Sequence, residues 1–342
     1  MENNFTQEKL AKPTRINRKK LLVSGGLVLL IIFGYYAINF GLAYRKITIL
    51  NSPPSDFQGT IITLGDFRDV IDEQDLPLPK KEADRFDVLI LGIRGVNDPN
   101  GGLLTDSIIL FSLDKNTGET AMVSIPRDLY LNLTDRFQGK INEVYEQGVI
   151  AGRAFSFTKD TFSRVTGVYI DNVSVFDFSA FGNIIEAVDG VTVTLDVPFE
   201  EKIQWGEPFF LPAGENNLNT EQALYYSRSR FSSNDFDRAR RQQQIILAIK
   251  EKALKLGFLS NPKKVTELAL ALGDGLKTDL GIFDIPEIIS LGQSLNSQNK
   301  PPKQLVLTTQ NVLYQTTETG AYILLPKLND YKEISTAIKN II

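Results

Sequence analysis

From Phe86 onwards, short apolar runs alternate with stretches that have helical periodicity. The runs FDVLILGI (86–93), DSIILFSL (106–113) and TAMVSI (120–125) are bounded by Gly, Pro, Asp or Asn residues. Continuous apolar runs of this length with such boundaries are typical of strands that are buried on both faces. The pattern therefore predicts that these three segments are central strands of a sheet.

Helical patterns follow the third run and continue towards the end of the chain, with two more predicted strands among them. Asp177 stands directly before one of the helical stretches and is a suitable N-cap residue. The predicted helical stretches are 141–167, 178–190, 219–230, 235–257, 261–275 and 284–295, and the additional predicted strands are 191–197 and 303–309. Because strands and helices mix throughout, the fold class is α/β or α+β with a central sheet.

A charge-free stretch of 24 residues runs from Leu21 to Tyr44, and about 20 residues suffice to cross a bilayer. It predicts a transmembrane helix; the alternative, a cleaved signal peptide, has an apolar core of only about 7–15 residues. Residues 1–20 carry a net charge of +4, so the positive-inside rule predicts that they form a cytoplasmic basic tail. Residues 45–342 are then expected outside the cell membrane, beginning with a linker at 45–84.

Composition narrows the possible chemistry. The 342-residue chain has a net charge of −4, and the part after residue 20 has −8. An acidic body argues against nucleic acid as the main partner, because duplex binding needs a broad basic face. The chain contains neither cysteine nor histidine, which excludes disulfides, thiolate or His-ligated metal sites and Ser-His-Asp catalysis. Proton transfer near neutral pH must therefore use carboxylates, lysine, tyrosine or the substrate itself.

The segment YYSRSRFSSNDFDRARRQQQ (225–244) concentrates five arginines and no lysine. Arg238 and Gln242 stand four residues apart and share a face of the predicted helix, and this face becomes apolar further along. Arg228 and Arg230 share a side if the residue between them is extended. Guanidinium groups fork onto phosphate oxygens in a fixed geometry. The segment is therefore either a phosphate-binding site or a solvated helix start with carboxylate–arginine pairs, in which the aspartates at 235 and 237 cap the helix.

Further charged residues lie next to the predicted strands. Arg127 and Asp128 follow the third strand, where ligand groups gather in open α/β sheets; the alternative is a local ion pair on a loop. Lys140 and Asn142 open the next helix. Asp106 precedes a buried strand and is either a turn residue or a ligand of Mg²⁺. Together these groups suit a diphosphate with Mg²⁺, for which positioning and charge neutralisation carry catalysis.

Five motifs in one order and with matching spacing resemble the LytR-CpsA-Psr family of cell-envelope proteins. They are LLTDSI, SIPRDLYL, GKIN, LNTEQALYYSRSR and DFDRARRQQQ. The resemblance covers about residues 86–257 and implies a catalytic domain at 85–257, which 258–342 complete or flank. The implied fold is α/β, an α-β-α sandwich around a central mixed sheet, with an apolar cavity for a prenyl chain and one N-terminal anchor.

The resemblance also implies an activity. Members of this family transfer phosphate-linked glycopolymers, such as teichoic acids and capsular polysaccharides, from polyprenyl-pyrophosphate carriers to a hydroxyl group of peptidoglycan. Two other functions stay open. The same site could use water and hydrolyse polyprenyl pyrophosphates, or the protein could bind lipid-linked intermediates without turnover and serve a regulatory role.

Carried onto this chain, the resemblance implies a role for each candidate residue. Asp106 helps to hold Mg²⁺, and Asp235 is a catalytic or site-organising carboxylate that orients or deprotonates the attacking hydroxyl. Arginines bind the pyrophosphate and stabilise its charge, with an amide side chain nearby and a lysine and an asparagine in the pocket wall. These residues are Arg127, Arg228, Arg230, Arg238, Gln242, Lys140 and Asn142. Arg240 and Arg241 lie elsewhere around the helix and are expected at the surface or in ion pairs.

One residue departs from the family pattern. Arg94 stands where the family often has an aspartate, twelve residues before Asp106. Because an arginine cannot ligate Mg²⁺, Arg94 is expected to contact phosphate directly, and Asp98 is close enough in sequence to supply a carboxylate in its place.

Overall fold

The computed structural model describes residues 71–96, 98, 101–257, 272–281, 301–318 and 320–342. The predicted transmembrane helix at 21–44, the predicted helix at 284–295 and most of the one at 261–275 lie outside these residues. In the part of the chain that is described, no helix is both long and apolar enough to cross a membrane.

A six-stranded mixed sheet forms the centre of the described residues. Its strands are β1 (Arg85–Ile93), β2 (Thr105–Asp114), β3 (Thr120–Ser124), β6 (Asn172–Phe176), β11 (Leu276–Thr278) and β12 (Lys303–Val306). Their order in the sheet is β11-β6-β1-β2-β3-β12. β2 pairs antiparallel with both β1 and β3, whereas β6 runs parallel to β1 and β12 parallel to β3. The three predicted central strands are confirmed, and they are neighbours inside the sheet.

Four two-stranded units and six helices surround this sheet in the described ranges. The paired strands are β4 (Tyr130–Leu133) with β5 (Phe137–Lys140), β7 (Val191–Leu195) with β10 (Gly214–Leu218), β8 (Phe199–Glu201) with β9 (Phe209–Leu211), and β13 (Leu313–Thr316) with β14 (Ile323–Pro326). The helices are α1 (Val144–Ile150), α2 (Ala154–Thr166), α3 (Phe178–Ala187), α4 (Thr220–Arg228), α5 (Asp235–Lys255) and α6 (Lys332–Lys339). The helix predicted at 141–167 is interrupted after α1, because Gly152 adopts a φ of +67° that a continuing helix does not allow.

Apolar cores cover both faces of the sheet. Along β1, Leu89, Leu91 and Ile93 point to a core that α1, α2 and α6 complete, and the alternate residues Phe86 and Val88 are buried on the opposite face. A second large core joins α3, α4 and α5 to β7 and β10. The sequences of β1, β2 and β3 are almost continuously apolar because both faces of the sheet are covered. The predicted mixed α/β fold with a central mixed sheet is confirmed.

Two segments outside the central motifs also belong to this domain. Ile71 and Leu76 lie in the region predicted as linker, yet both are buried in the first core. Gln74 donates its N–H to the carbonyl of Asn132 in β4 at 3.0 Å. The linker predicted at 45–84 therefore does not extend to residue 84. At the other end, Tyr331 is buried before α6 and donates its hydroxyl hydrogen to the carbonyl of Tyr130 at 3.0 Å, so the C-terminal segment completes the domain.

Candidate active site

A cavity of about 480 Å³ lies between the sheet and the helices α3, α4 and α5. Its apolar lining comes from the sheet and from all three helices: Ile90, Ile109, Phe176, Phe181, Ile184, Leu224, Ile246 and Ile249. From α5, Arg238 and Gln242 also line it, so the lining face of this helix changes from polar to apolar over about 16 Å. Five arginines but only two aspartates are among the residues that line the cavity, which favours a ligand with an anionic head and an apolar tail.

Arg127 is the centre of an ion-pair network at the polar part of this cavity. Its guanidinium donates a hydrogen bond to Asp106 Oδ1. Its Nε lies 3.3 Å from Asp235 Oδ2 and 3.6 Å from Asp128 Oδ2. Burial alone would lower the pKa of Arg127, but the three carboxylates raise it above its ordinary value. Arg94 joins the network from the loop after β1, with its Nε 3.6 Å from Asp106 Oδ2.

Asp235 holds two further arginines beside Arg127. Arg238 is buried, and its Nη2 donates to Asp235 Oδ2 at 3.1 Å and to the main-chain carbonyl of Asp106 at 3.2 Å. Arg230 Nη1 lies 3.9 Å from Asp235 Oδ1. Burial lowers the pKa of Arg238, and the carboxylate of Asp235 only partly opposes this effect. The carboxylate of Asp235 thus holds three guanidinium groups close together, and this cluster of positive charge can bind an anion.

Asp235 is available for this role because another residue caps α5. Asn234 has an extended backbone, and its side-chain oxygen accepts a hydrogen bond from Asp237 N at 2.9 Å. Asp237 instead forms an ion pair with Arg240 at 2.6 Å. The prediction that the two aspartates cap the helix is therefore wrong, because the residue before them already supplies the acceptor.

Arg228 enters the cavity from the end of α4. Its guanidinium lies 4.0 Å from the ring centre of Phe178 and 5.1 Å from that of Trp205. Burial lowers the pKa of Arg228, and the like charge of Arg94 lowers it further. The next residue, Ser229, has an extended backbone, so Arg228 and Arg230 both face the cavity, as the alternate spacing predicts.

The two remaining arginines of the segment differ from each other. Arg240 is half exposed, as expected. Arg241 is buried, and its guanidinium donates to the carbonyls of Tyr226 and Ser229 and to Ser233 Oγ. The expectation that Arg241 lies at the surface or in an ion pair is wrong, because the chain between α4 and α5 folds over it and supplies main-chain acceptors.

Lys140 and Asn142 lie beside the network and do not line the cavity. Lys140 Nζ lies 2.7 Å from Asp128 Oδ1, so it neutralises the carboxylate that also approaches Arg127. The main-chain carbonyl of Asn142 accepts a hydrogen bond from Thr105 Oγ1 at 3.2 Å, and its side-chain oxygen is buried without a partner. Lys140 therefore supports the loop that carries Arg127, and Asn142 supports the start of β2 beside Asp106.

Aromatic residues at the cavity were missed by the sequence analysis. Phe178 and Trp205 enclose Arg228, and Trp205 is stacked on Tyr225 with a ring separation of 4.5 Å. Trp205 is the only tryptophan of the chain and stands in the segment IQWGEP (203–208) between β8 and β9. A tryptophan in a polar loop could have drawn attention to this position. The sequence of the loop alone does not show which element the Trp205 ring packs against.

The residues around Asp106 were compared with what Mg²⁺ requires. Both carboxylate oxygens of Asp106 contact arginines, Oδ1 with Arg127 and Oδ2 with Arg94. Among the described residues, no three acidic side chains come close enough to hold a metal ion. Mg²⁺ takes oxygen ligands, commonly one or two carboxylates with substrate phosphate oxygens. The residues present do not fit a magnesium site built by the protein alone, and the metal role of Asp106 stays a prediction.

Comparison with known proteins now decides the family. The model of the LytR_cpsA_psr family matches residues 65–340. The chain belongs to the LytR_cpsA_psr family. The ten site residues expected from the sequence lie within the matched range, and so does the C-terminal segment as far as residue 340.

Named proteins and solved structures are similar to this chain. The chain is 30% identical over 206 residues to the polyisoprenyl-teichoic acid–peptidoglycan teichoic acid transferase TagV of Bacillus subtilis (strain 168), covering 58% of this chain and 51% of that protein. The chain thus spans about half the length of that curated relative. The crystal structure of B. subtilis TagV matches with 25% identity and a TM-score of 0.58, over 76% of this chain and 98% of that one. A structure of TagT bound to LIIa-WTA has the same fold, with 24% identity, a TM-score of 0.58 and coverage of 78% and 96%.

Proposed function

We propose that this protein transfers a phosphate-linked glycopolymer from a polyprenyl-pyrophosphate carrier to a hydroxyl group of peptidoglycan. One observation carries the proposal: five arginines line one part of a cavity whose other walls are mostly apolar. A polyprenyl pyrophosphate has the matching two parts, a dianionic or more highly charged head and a hydrocarbon chain. The similarity to TagV of B. subtilis, which is named as a teichoic acid transferase, supports this activity.

In the proposed complex, the prenyl chain lies among the isoleucines and phenylalanines of the cavity. The pyrophosphate lies between Arg127, Arg228 and Arg238, with Arg94 and Arg230 at its edge. The site contains several fixed cations in a partly buried place, where they stabilise developing negative charge more strongly than in water. Positioning and charge stabilisation are the main requirements of phosphoryl transfer.

The proposed reaction breaks one phosphoanhydride bond. A sugar hydroxyl of peptidoglycan attacks the phosphorus that carries the glycopolymer, and the bridging oxygen leaves with the bonding electrons as part of polyprenyl phosphate. Asp235 orients the hydroxyl or accepts its proton, since no histidine is available in the chain. Arg127 and Arg238, which both contact Asp235, stabilise the charge on the transferred group and on the leaving phosphate.

The proposal places the domain at the outer surface of the cell membrane. The charge-free stretch at 21–44 would anchor it, with the basic residues 1–20 in the cytoplasm. A polyprenyl carrier is itself held in the bilayer, so an anchored domain meets its donor at a high local concentration.

A transfer assay with the purified extracytoplasmic part tests the proposal. It uses a lipid-pyrophosphate-linked glycan, with and without peptidoglycan fragments, in the presence and absence of Mg²⁺. Polymer covalently attached to peptidoglycan supports the proposal. Release of polymer at the same rate without an acceptor supports the hydrolase alternative, and binding without turnover in every condition supports the regulatory one.

A further inference from the structure

The last residue of α4 and the short turn that follows it carry two arginines of the site. We call residues 228–233 the arginine turn; its Arg228 and Arg230 line the cavity. Within it, Ser233 N donates to the carbonyl of Arg230 at 3.2 Å. A turn of six residues satisfies few of its main-chain groups internally, so its shape depends on the groups that surround it.

Glu201, the last residue of β8, is fully buried and accepts three hydrogen bonds from this turn. Its Oε2 accepts from Phe231 N at 3.0 Å and from Ser232 N at 3.1 Å, and its Oε1 accepts from Ser232 Oγ at 2.9 Å. Burial alone would raise the pKa of Glu201, but the hydrogen bonds from Ser232 lower it below its ordinary value. The carboxylate therefore stays ionised at neutral pH and binds the turn through charge-assisted hydrogen bonds.

The residues that follow β8 extend these contacts along the turn. Gln204 Nε2 donates to the carbonyl of Arg228 at 3.1 Å, and Gln204 Oε1 accepts from Arg230 N at 2.7 Å. Trp205 Nε1 donates to Ser229 Oγ at 2.9 Å. Together, Glu201, Gln204 and Trp205 bind every residue from 228 to 232.

We propose that Glu201 and Gln204 are positioning residues for the pyrophosphate: they fix the arginine turn so that Arg228 and Arg230 face the cavity. This inference rests on the proposed function. Glu201 does not line the cavity, so it acts on a ligand only through the turn, whereas Gln204 both binds the turn and lines the cavity. Without it, two main-chain N–H groups lose their acceptor, and the two guanidinium groups lose the fixed geometry that diphosphate recognition requires.

Binding of two probes of similar shape tests this role. Farnesyl diphosphate carries the anionic head, and farnesol lacks it. For Glu201→Ala, we expect the Kd for farnesyl diphosphate to rise at least about tenfold, the size of effect that loss of a hydrogen bond to a charged group produces. The Kd for farnesol should stay unchanged, because the apolar lining is intact.

Two controls accompany this variant. Glu200→Ala changes the neighbouring carboxylate of β8, which is exposed and lies 3.5 Å from Lys202 Nζ, and it should leave both Kd values within about twofold of the wild type. Glu201→Gln should recover most of the affinity, because its amide oxygen still accepts from Phe231 N and Ser232 N while its N–H₂ donates to Ser232 Oγ.

Ser232→Ala keeps the test decisive if Glu201→Ala does not fold, since Ser232 is exposed, does not line the cavity and donates its hydroxyl to Glu201. This variant should also weaken the binding of farnesyl diphosphate and leave the Kd for farnesol unchanged. Wild-type affinity for farnesyl diphosphate in the folded alanine variants would overturn the positioning role and leave the proposed function standing. An equal loss for both probes would also overturn it. If the wild type binds both probes equally, the proposed function is wrong and the inference falls with it.

Discussion

The guanidinium of Arg127, in the loop after β3, meets the carboxylate of Asp235, the first residue of α5, with Nε and Oδ2 3.3 Å apart. The two residues come from distant parts of the chain, so their contact depends on how α5 lies against the sheet. Gln243 fixes this packing: its Nε2 donates to Ser124 Oγ in β3 at 2.8 Å and to the carbonyl of Leu305 in β12 at 3.1 Å. The C-terminal segment therefore contributes to the geometry of the site, although its described residues provide none of the charged groups.

Replacement of Arg127 should abolish most of the activity. In Arg127→Ala, we expect kcat to fall by about 100-fold or more, the loss found when one preorganised charge-stabilising donor is removed. Arg240→Ala is the matched control, because Arg240 is half exposed and pairs with Asp237; its kcat should stay within about twofold of the wild type. The transfer rates of both variants are measured and compared, and thermal unfolding checks that each variant is folded. Equal transfer rates for the two variants would show that Arg127 is not part of the active site.

Arg241 should matter for stability. Its buried guanidinium satisfies two main-chain carbonyls and Ser233 Oγ. We expect Arg241→Ala to lower the free energy of unfolding by about 2–3 kcal/mol, since buried acceptors lose a charged donor. Arg240→Ala should change it by less than about 0.5 kcal/mol. Urea unfolding of both variants measures the difference, and a wild-type midpoint for Arg241→Ala would contradict the buried position.

The apolar part of the cavity should set how much of the prenyl chain is bound. Ile249→Trp adds volume at the lining of α5 and should raise the KM for long-chain donors far more than the KM for short-chain donors. Lys252→Trp, one turn further on and bonded to the carbonyl of Asp189 outside the cavity, is the control. A uniform rise in KM for all chain lengths would mean that the chain binds elsewhere.

The residue at position 94 should control the response to magnesium. Arg94→Asp places a second carboxylate near Asp106 and removes the guanidinium that now lies 3.6 Å from its Oδ2. Because carboxylate number determines the affinity of such sites, we expect the transfer rate of Arg94→Asp to rise at Mg²⁺ concentrations at least about tenfold lower than any that stimulate the wild type. A magnesium titration of the transfer rate measures this shift. Identical titration curves would place the metal away from residue 94.

Much of the site could be predicted because its residues lie in short local patterns. The spacing of Arg238 and Gln242 determines a shared helix face, and the alternate spacing of Arg228 and Arg230 needs only one extended residue between them. Arg241 could not be predicted, because its environment depends on a turn that folds back over the helix. Glu201 and Trp205 were missed for the same reason: their partners lie about 25 to 30 positions away, and no local periodicity records such contacts.

The central claim is that one cavity binds both parts of a polyprenyl pyrophosphate. A crystal structure of the extracytoplasmic part with a bound prenyl pyrophosphate tests it most directly. We expect the two phosphates between Arg127, Arg228 and Arg238, and the hydrocarbon chain along Ile246 and Ile249. Density for the diphosphate outside this group of arginines, or a prenyl chain outside the cavity, would contradict it.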